Sequence, residues 1–266
     1  MMHDEILVDV TRLVWRAWRG RHPTGIDRVC AAYVEHFRDR ARAVVQRKGL
    51  VFVLSRRDSR RAFDLLLGGR NTSRLAMATN LGGAVPSARR APPRRGMLYL
   101  NVGHTGLNDA SLPQWIARHE VRAVHLIHDL IPISHPAFCR PGETERHSER
   151  IANALDCATG IIANSQSTIA EIANFAALRS VRMPAHVAAW ICGFVEKGTV
   201  SPKTLGRPYF VMVGTIEARK NHLLLLQIWR HLVAELGKAT PLLVIIGQPG
   251  WEAEEALEIL AQPGDL

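Results

Sequence analysis

Arg219 and Lys220 stand side by side in the stretch VMVGTIEARKNH (211–222), just past an apolar run that stops at Gly214. Adjacent cations at the start of a helix oppose the helix dipole, a local cost that a bound anion would offset. A diphosphate carries charge enough, with arginine offering a two-pronged fork and lysine a point charge. Glu217 is the one acid in the stretch. A solvated basic turn is the simpler alternative.

Three other stretches carry residues of chemical interest. In HLIHDLIP (125–132), His128 and Asp129 fall at the end of an apolar run, and Pro132 marks a sharp exit. A histidine there could donate a hydrogen bond, hold a sugar hydroxyl or shuttle a proton, or simply cap the strand end. His125, inside the run, reads as a satisfied interior histidine. In RGRHPTGIDRV (19–29), Thr24 can cap a helix with Asp27 as its capping-box partner, and Gly25 lets a ligand approach backbone N–H groups. In ANSQST (163–168), Ser165 or Ser167 can cap the next helix, whose free N–H groups also suit an anion. His119, His125, His128 and His135 cluster in sequence without metal-ligand spacing, so no metal is expected.

The elements that must position these residues are legible as alternating patterns. Continuous apolar runs at 5–10, 50–55, 97–103, 122–129, 160–165 and 186–192 predict strands covered on both faces. Helical patterns fall at 25–40, 60–67, 111–119, 143–158 and 166–179, and Ile26, Val29, Tyr33 and Phe37 form one buried stripe. This alternation predicts an α/β fold with a parallel sheet flanked by helices over residues 1–192. Residues 193–207 read as a linker, and 208–266 restart the pattern with strands 209–215 and 242–247 around a helix at 222–236, followed by a helix from about 251. Each candidate residue thus lies in a loop after a strand, where open parallel sheets bind their ligands.

Composition narrows the class. The net charge is +10, and only five of the 34 cations are lysine (Lys48, Lys197, Lys203, Lys220 and Lys238), which favours anionic partners. No helix-turn-helix, zinc-finger or RNP-like pattern accompanies that charge, so no specific nucleic-acid partner is expected. The four cysteines are scattered, as in reduced proteins, and the apolar runs are too short to span a bilayer. A cytoplasmic location is the expectation, with the arginines at 56–61 and 86–96 able to touch an anionic membrane face.

Taken together, GTIEARKNHLLLL, HDLIPISHP, IIANSQST and the early DVTRL and PTGIDRV resemble the glycosyltransferase family 4 (group 1) enzymes of the two-domain GT-B fold. The resemblance implies a complete acceptor-side Rossmann-like domain at 1–192 and an incomplete nucleotide-sugar domain at 208–266. It implies a retaining, metal-independent transfer of sugar from a nucleotide-sugar donor to a glycan or lipid-linked acceptor, without cofactor, in bacterial surface polysaccharide assembly. By the same resemblance His128 is the active-site histidine, Gly25 belongs to the loop that approaches the donor phosphates, and Arg219 and Lys220 hold the diphosphate. Thr24, Asp129, Ser165 and Thr215 are further candidate donor or acceptor contacts. Thr215 stands where many members carry an arginine. The family's E-x7-E motif is not reached before the closing AQPGDL, which makes this chain a truncated and catalytically inactive form in expectation. The competing class is a non-catalytic basic module that binds nucleic acid or an acidic membrane surface, and a third reading is an inactive remnant with a scaffolding role.

Overall fold

The computed structural model describes residues 5–20, 23–68, 92–191, 193, 205–262 and 264. The chain divides into two compact units, residues 1–134 with 141–193 and residues 135–140 with 194–266.

The first unit is α/β and Rossmann-like in general character. Its strands are β1 (Ile6–Asp9), β2 (Ala41–Arg47), β3 (Leu50–Val53), β4 (Leu98–Asn101), β5 (Arg122–Ile127), β6 (Ala158–Ala163) and β7 (Ala185–Ala188). They form one sheet in the order β3-β2-β1-β4-β5-β6-β7, parallel at every pairing except β2 with β3. The helices are α1 (Thr11–Trp18), α2 (Gly25–Phe37), α3 (Arg56–Leu67), α4 (Ser111–His119), α5 (Glu143–Cys157) and α6 (Gln166–Leu178).

Successive residues of β1 feed opposite faces of the sheet. Leu7 joins Tyr99, Ile127 and Ile161 in one core cluster, while Ile6 and Val8 join Val34, Phe63 and Leu100 in the other. Both faces being covered is why the central strands are unbroken apolar runs. The strand order reverses between β1 and β4, which opens a crevice at their carboxyl ends.

Several local expectations need correction. The strand expected at 50–55 is β3, and it runs antiparallel to β2 from a two-residue turn in which Lys48 (φ 47°) and Gly49 (φ 75°) are left-handed. β2 itself was not expected. Arg42 interrupts its apolar residues, yet that side chain is buried and donates from Nε to the Leu54 carbonyl at 2.8 Å. Helix α1 was also unexpected, because eight residues are too few to display a helical period. Helix α3 starts earlier than the expected 60, at Arg56, because Ser55 accepts a capping bond from the Asp58 N–H. The strand expected at 186–192 is β7, ending at Ala188. Most of the expected linker at 193–207 lies outside the described residues.

The second unit contains parallel strands β8 (Tyr209–Val213) and β9 (Leu242–Ile246), with helices α7 (His222–Leu236) and α8 (Glu254–Ala261). Its buried core is small: Ile216, Leu226, Ala253 and Ala256. Among the described residues no helix is long and apolar enough to cross a membrane.

Candidate functional site

In the first unit the candidate residues gather at the carboxyl edge of the sheet. Thr24 caps α2, and its backbone N–H and hydroxyl each donate to Asp27 Oδ2 at 2.6 Å. Asp27 is buried and takes Arg12 Nε at 2.7 Å on one oxygen and Arg16 Nε at 3.0 Å on the other. Burial alone would raise the Asp27 pKa, but the Thr24 bonds and the two guanidinium charges outweigh it and hold the carboxylate low. The capping box is therefore an ion-paired brace. Gly25 is exposed beside it, and a side chain there would meet no atom of the described residues within 4 Å. Among those residues the space over this helix start is open, as a ligand approaching the N–H groups requires.

His128 follows the end of β5 and is buried. Its Nε2 donates to the Val102 carbonyl at 2.8 Å, which assigns the proton to Nε2 and leaves the lone pair on Nδ1. Burial lowers its pKa, the Val102 carbonyl and Asp129 pull it back up, and Arg12 pushes it down. Arg12 thus ties the Gly25 helix start to the histidine electrostatically. In this tautomer the ring accepts a hydrogen bond and has no free proton to give. Of the roles open to His128 on sequence grounds, holding a hydroxyl is the one its geometry favours.

Two histidines that the sequence did not single out surround it. The His128 backbone N–H donates to His104 Nε2 at 3.2 Å, and their ring centroids lie 5.0 Å apart. His147, on α5, donates from Nε2 to the Asp129 carbonyl at 2.9 Å. Burial pushes the pKa of both rings below the usual imidazole range. The ring nitrogens engaged in these bonds are held in fixed tautomers, and no metal-binding group of His, Cys, Asp or Glu exists among the described residues. The signal for His104 was GHTG (103–106) at a strand's carboxyl end, masked by its place after the apolar run at 97–103.

Asp129 and Ser165 each make a local bond. Asp129 Oδ1 accepts from the Ile131 N–H at 3.2 Å, and Ser165 caps α6 by accepting from the Thr168 N–H at 3.1 Å. His125 is interior as expected but only half satisfied. Its Nε2 lies 3.4 Å from Cys157 Sγ, its Nδ1 has no partner, and burial drops its pKa to about 4. His119 and His135 take no part: one tilts over Trp115 and the other stacks on Phe138.

A buried polar network that sequence reading missed underlies the β1–β4 crevice. Asp9 Oδ2 accepts from Gln46 Nε2 at 2.6 Å and from the Tyr99 hydroxyl at 2.8 Å, and Asp9 Oδ1 accepts from the Thr11 N–H at 2.9 Å. Burial raises the Asp9 pKa against the pull of these donors.

In the second unit, Ala218–Lys220 form a short 3-10 turn ahead of α7, and Asn221 is the helix cap, accepting from the Leu224 N–H at 3.3 Å. Both cations are exposed at that helix start. Arg219 Nε lies 2.7 Å from Glu217 Oε1 as a charge pair without hydrogen-bond alignment, whereas Lys220 has no ion pair among the described residues. Thr215 is half-buried, with its methyl against Gly250. The turn is pinned because the loops after β8 and β9 nearly touch: a side chain at Gly250 would meet Thr215 Cγ2 at 2.7 Å, and the Gly250 N–H donates to the Ile216 carbonyl at 2.7 Å. His222, the first residue of α7, is buried, and burial lowers its pKa while the Glu217 backbone and carboxylate pull it back up.

The first unit is thus an α/β body with a mostly parallel seven-stranded sheet flanked by helices and His128 buried at the sheet's carboxyl edge. No family model, curated protein or solved structure matches the chain.

Proposed function

We propose that the chain is a retaining glycosyltransferase of GT-B type, similar to family 4, with a nucleotide-sugar donor and a glycan or lipid-linked acceptor. The observation that carries this reading is His128, a neutral buried imidazole with one fixed lone pair at the carboxyl end of β5, tied through Arg12 to the open helix start at Gly25. Such a ring can hold a sugar hydroxyl beside helix N–H groups that favour phosphate. In the second unit Lys220 is exposed and has no ion pair among the described residues, which suits a cation that receives a diphosphate, as cations do where no metal is used.

In an active preparation, His128→Ala should cut turnover about a hundredfold with the fold intact, the usual scale for a positioned polar or acid/base group. Parental turnover in that variant would return His128 to a structural role.

A further inference from the structure

A cleft of about 280 Å³ opens in the first unit between the β2–β3 turn and the loop from β4 to α4. Neither His128 nor Gly25 lines it. Gln46 forms its polar floor, with Trp15, Arg47, Lys48, Asp109 and Ser111 around it.

Each wall has a definite chemistry. Gln46 is almost buried, and its Nε2 is committed to Asp9, Tyr99 and the Thr105 carbonyl, so Oε1 is the atom left to serve as an acceptor. Gly106 lies directly against that oxygen: it has φ 76°, and a side chain there would come within 1.8 Å of Gln46 Oε1. Asp109 accepts from the Ser111 N–H at 2.9 Å, and the Ser111 bonds keep its carboxyl below the usual range, so it is a charged acceptor. Trp15 is half-buried and offers an aromatic surface. Arg47 and Lys48 are exposed and form no ion pair among the described residues. Lys48 also occupies a left-handed turn position (φ 47°) that asparagine, aspartate or glycine would fill at lower cost. A strained cation at the mouth of a cleft points to a use for its charge.

An aromatic face, two uncharged or anionic acceptors and two unpaired cations match a sugar ring that carries a negative group. The volume lies just under the roughly 300–1,000 Å³ of pockets for drug-sized ligands, room for one ring rather than a nucleotide sugar. We infer that this cleft binds an anionic saccharide, a pyranose bearing a phosphate or carboxylate. Its place as the acceptor end of a transfer reaction rests on the glycosyltransferase reading; the binding itself does not.

The test is calorimetric titration of the whole chain with α-glucose 1-phosphate, glucuronate, methyl glucoside and UMP, separately. At least one of the two anionic sugars should bind, and comparing them tells phosphate from carboxylate. Methyl glucoside and UMP should bind about tenfold more weakly or not at all. Lys48→Gly relieves the turn and should keep or raise the melting temperature while weakening the anionic sugar about tenfold, as loss of a charge-assisted contact does. Trp15→Leu should weaken it as well. Equal binding of charged and neutral sugars, parity of UMP, unchanged affinity in Lys48→Gly, or no sugar binding at all would overturn the inference. UDP titrated into the same proteins separates the two readings. Sugar binding without UDP binding removes the transfer reaction and leaves the cleft, and the converse removes the cleft alone.

Discussion

Strands β1 and β8 have similar apolar sequences, ILVD and YFVMV, and opposite fates. All of β1 is buried, whereas Tyr209, Phe210, Val211 and Val213 of β8 are exposed. The difference is neighbours: β1 is central in a sheet of seven with helices on both faces, and among the described residues β8 has β9 alone. An apolar strand gains about 25 cal/mol for each Å² removed from water, and β8 collects little of it. The candidate residues of the two units therefore sit on supports of unequal strength. The histidine site stands on a closed core, the Arg219–Lys220 turn on a glycine-pinned pair of loops.

The largest expected effect is in hydrogen exchange. Amides of β8 and β9 should exchange orders of magnitude faster than those of β1, β4 and β5, because fewer buried contacts hold them. Equal protection in both sets would erase the contrast.

Acid should weaken the first unit next. His125 has a folded pKa of about 4 against an ordinary 6.5, so the unfolded chain binds its proton first as pH falls. Its stabilisation is therefore whole above about pH 6.5 and is lost toward pH 4, about 3 kcal/mol in all. Urea midpoints measured at pH 7 and pH 4.5 should fall accordingly for this unit. His125→Leu, which removes an unpartnered buried nitrogen, should flatten the dependence without lowering stability at pH 7. An unchanged acid loss in His125→Leu would show that the other histidines lowered by burial, His104, His128 and His147, carry it instead.

Tyr99→Phe removes the hydroxyl that donates to Asp9 at 2.8 Å and should cost about 1–3 kcal/mol in urea unfolding. Because Tyr99 lies in the first unit alone, protection in β8 and β9 should not change. A shift there would mean that the two units are energetically coupled.

The smallest effect concerns the surface. Arg57, Arg60 and Arg61 are exposed on α3, while Arg56 and Arg94 lean on Glu5 and Arg95 on Glu120. Binding to anionic vesicles at about 1 kcal/mol per cation should occur at low salt and fade near about 0.5 M. Indifference to salt or lipid charge would remove the membrane contact. Arg89 and Arg90, part of the expected basic segment, lie outside the described residues.

Legibility in the sequence followed chemistry and distance. β1, β4 and β5 could be read because strands buried on both faces are unbroken apolar runs. β2 could not, because Arg42 and Gln46 sit within it, and only the folded chain shows what each bonds. His128 was visible as a histidine at a strand's end. The Asp9–Gln46–Tyr99 network was not, since its partners are 37 and 90 residues apart. Ser165 and Asp129 are ambiguous in sequence because capping residues and anion-binding residues are of the same types. Arg219 and Lys220 stood out because paired cations at a helix start are locally unfavourable.

Calorimetric titration of UDP and GDP into the parent and into Lys220→Ala tests the central claim most directly. One of the two nucleotides should bind the parent, and the variant should bind it more weakly by about 1.5–3 kcal/mol, the worth of a charge-assisted contact. Equal affinity in parent and variant, or no binding of either nucleotide to the parent, would contradict the account.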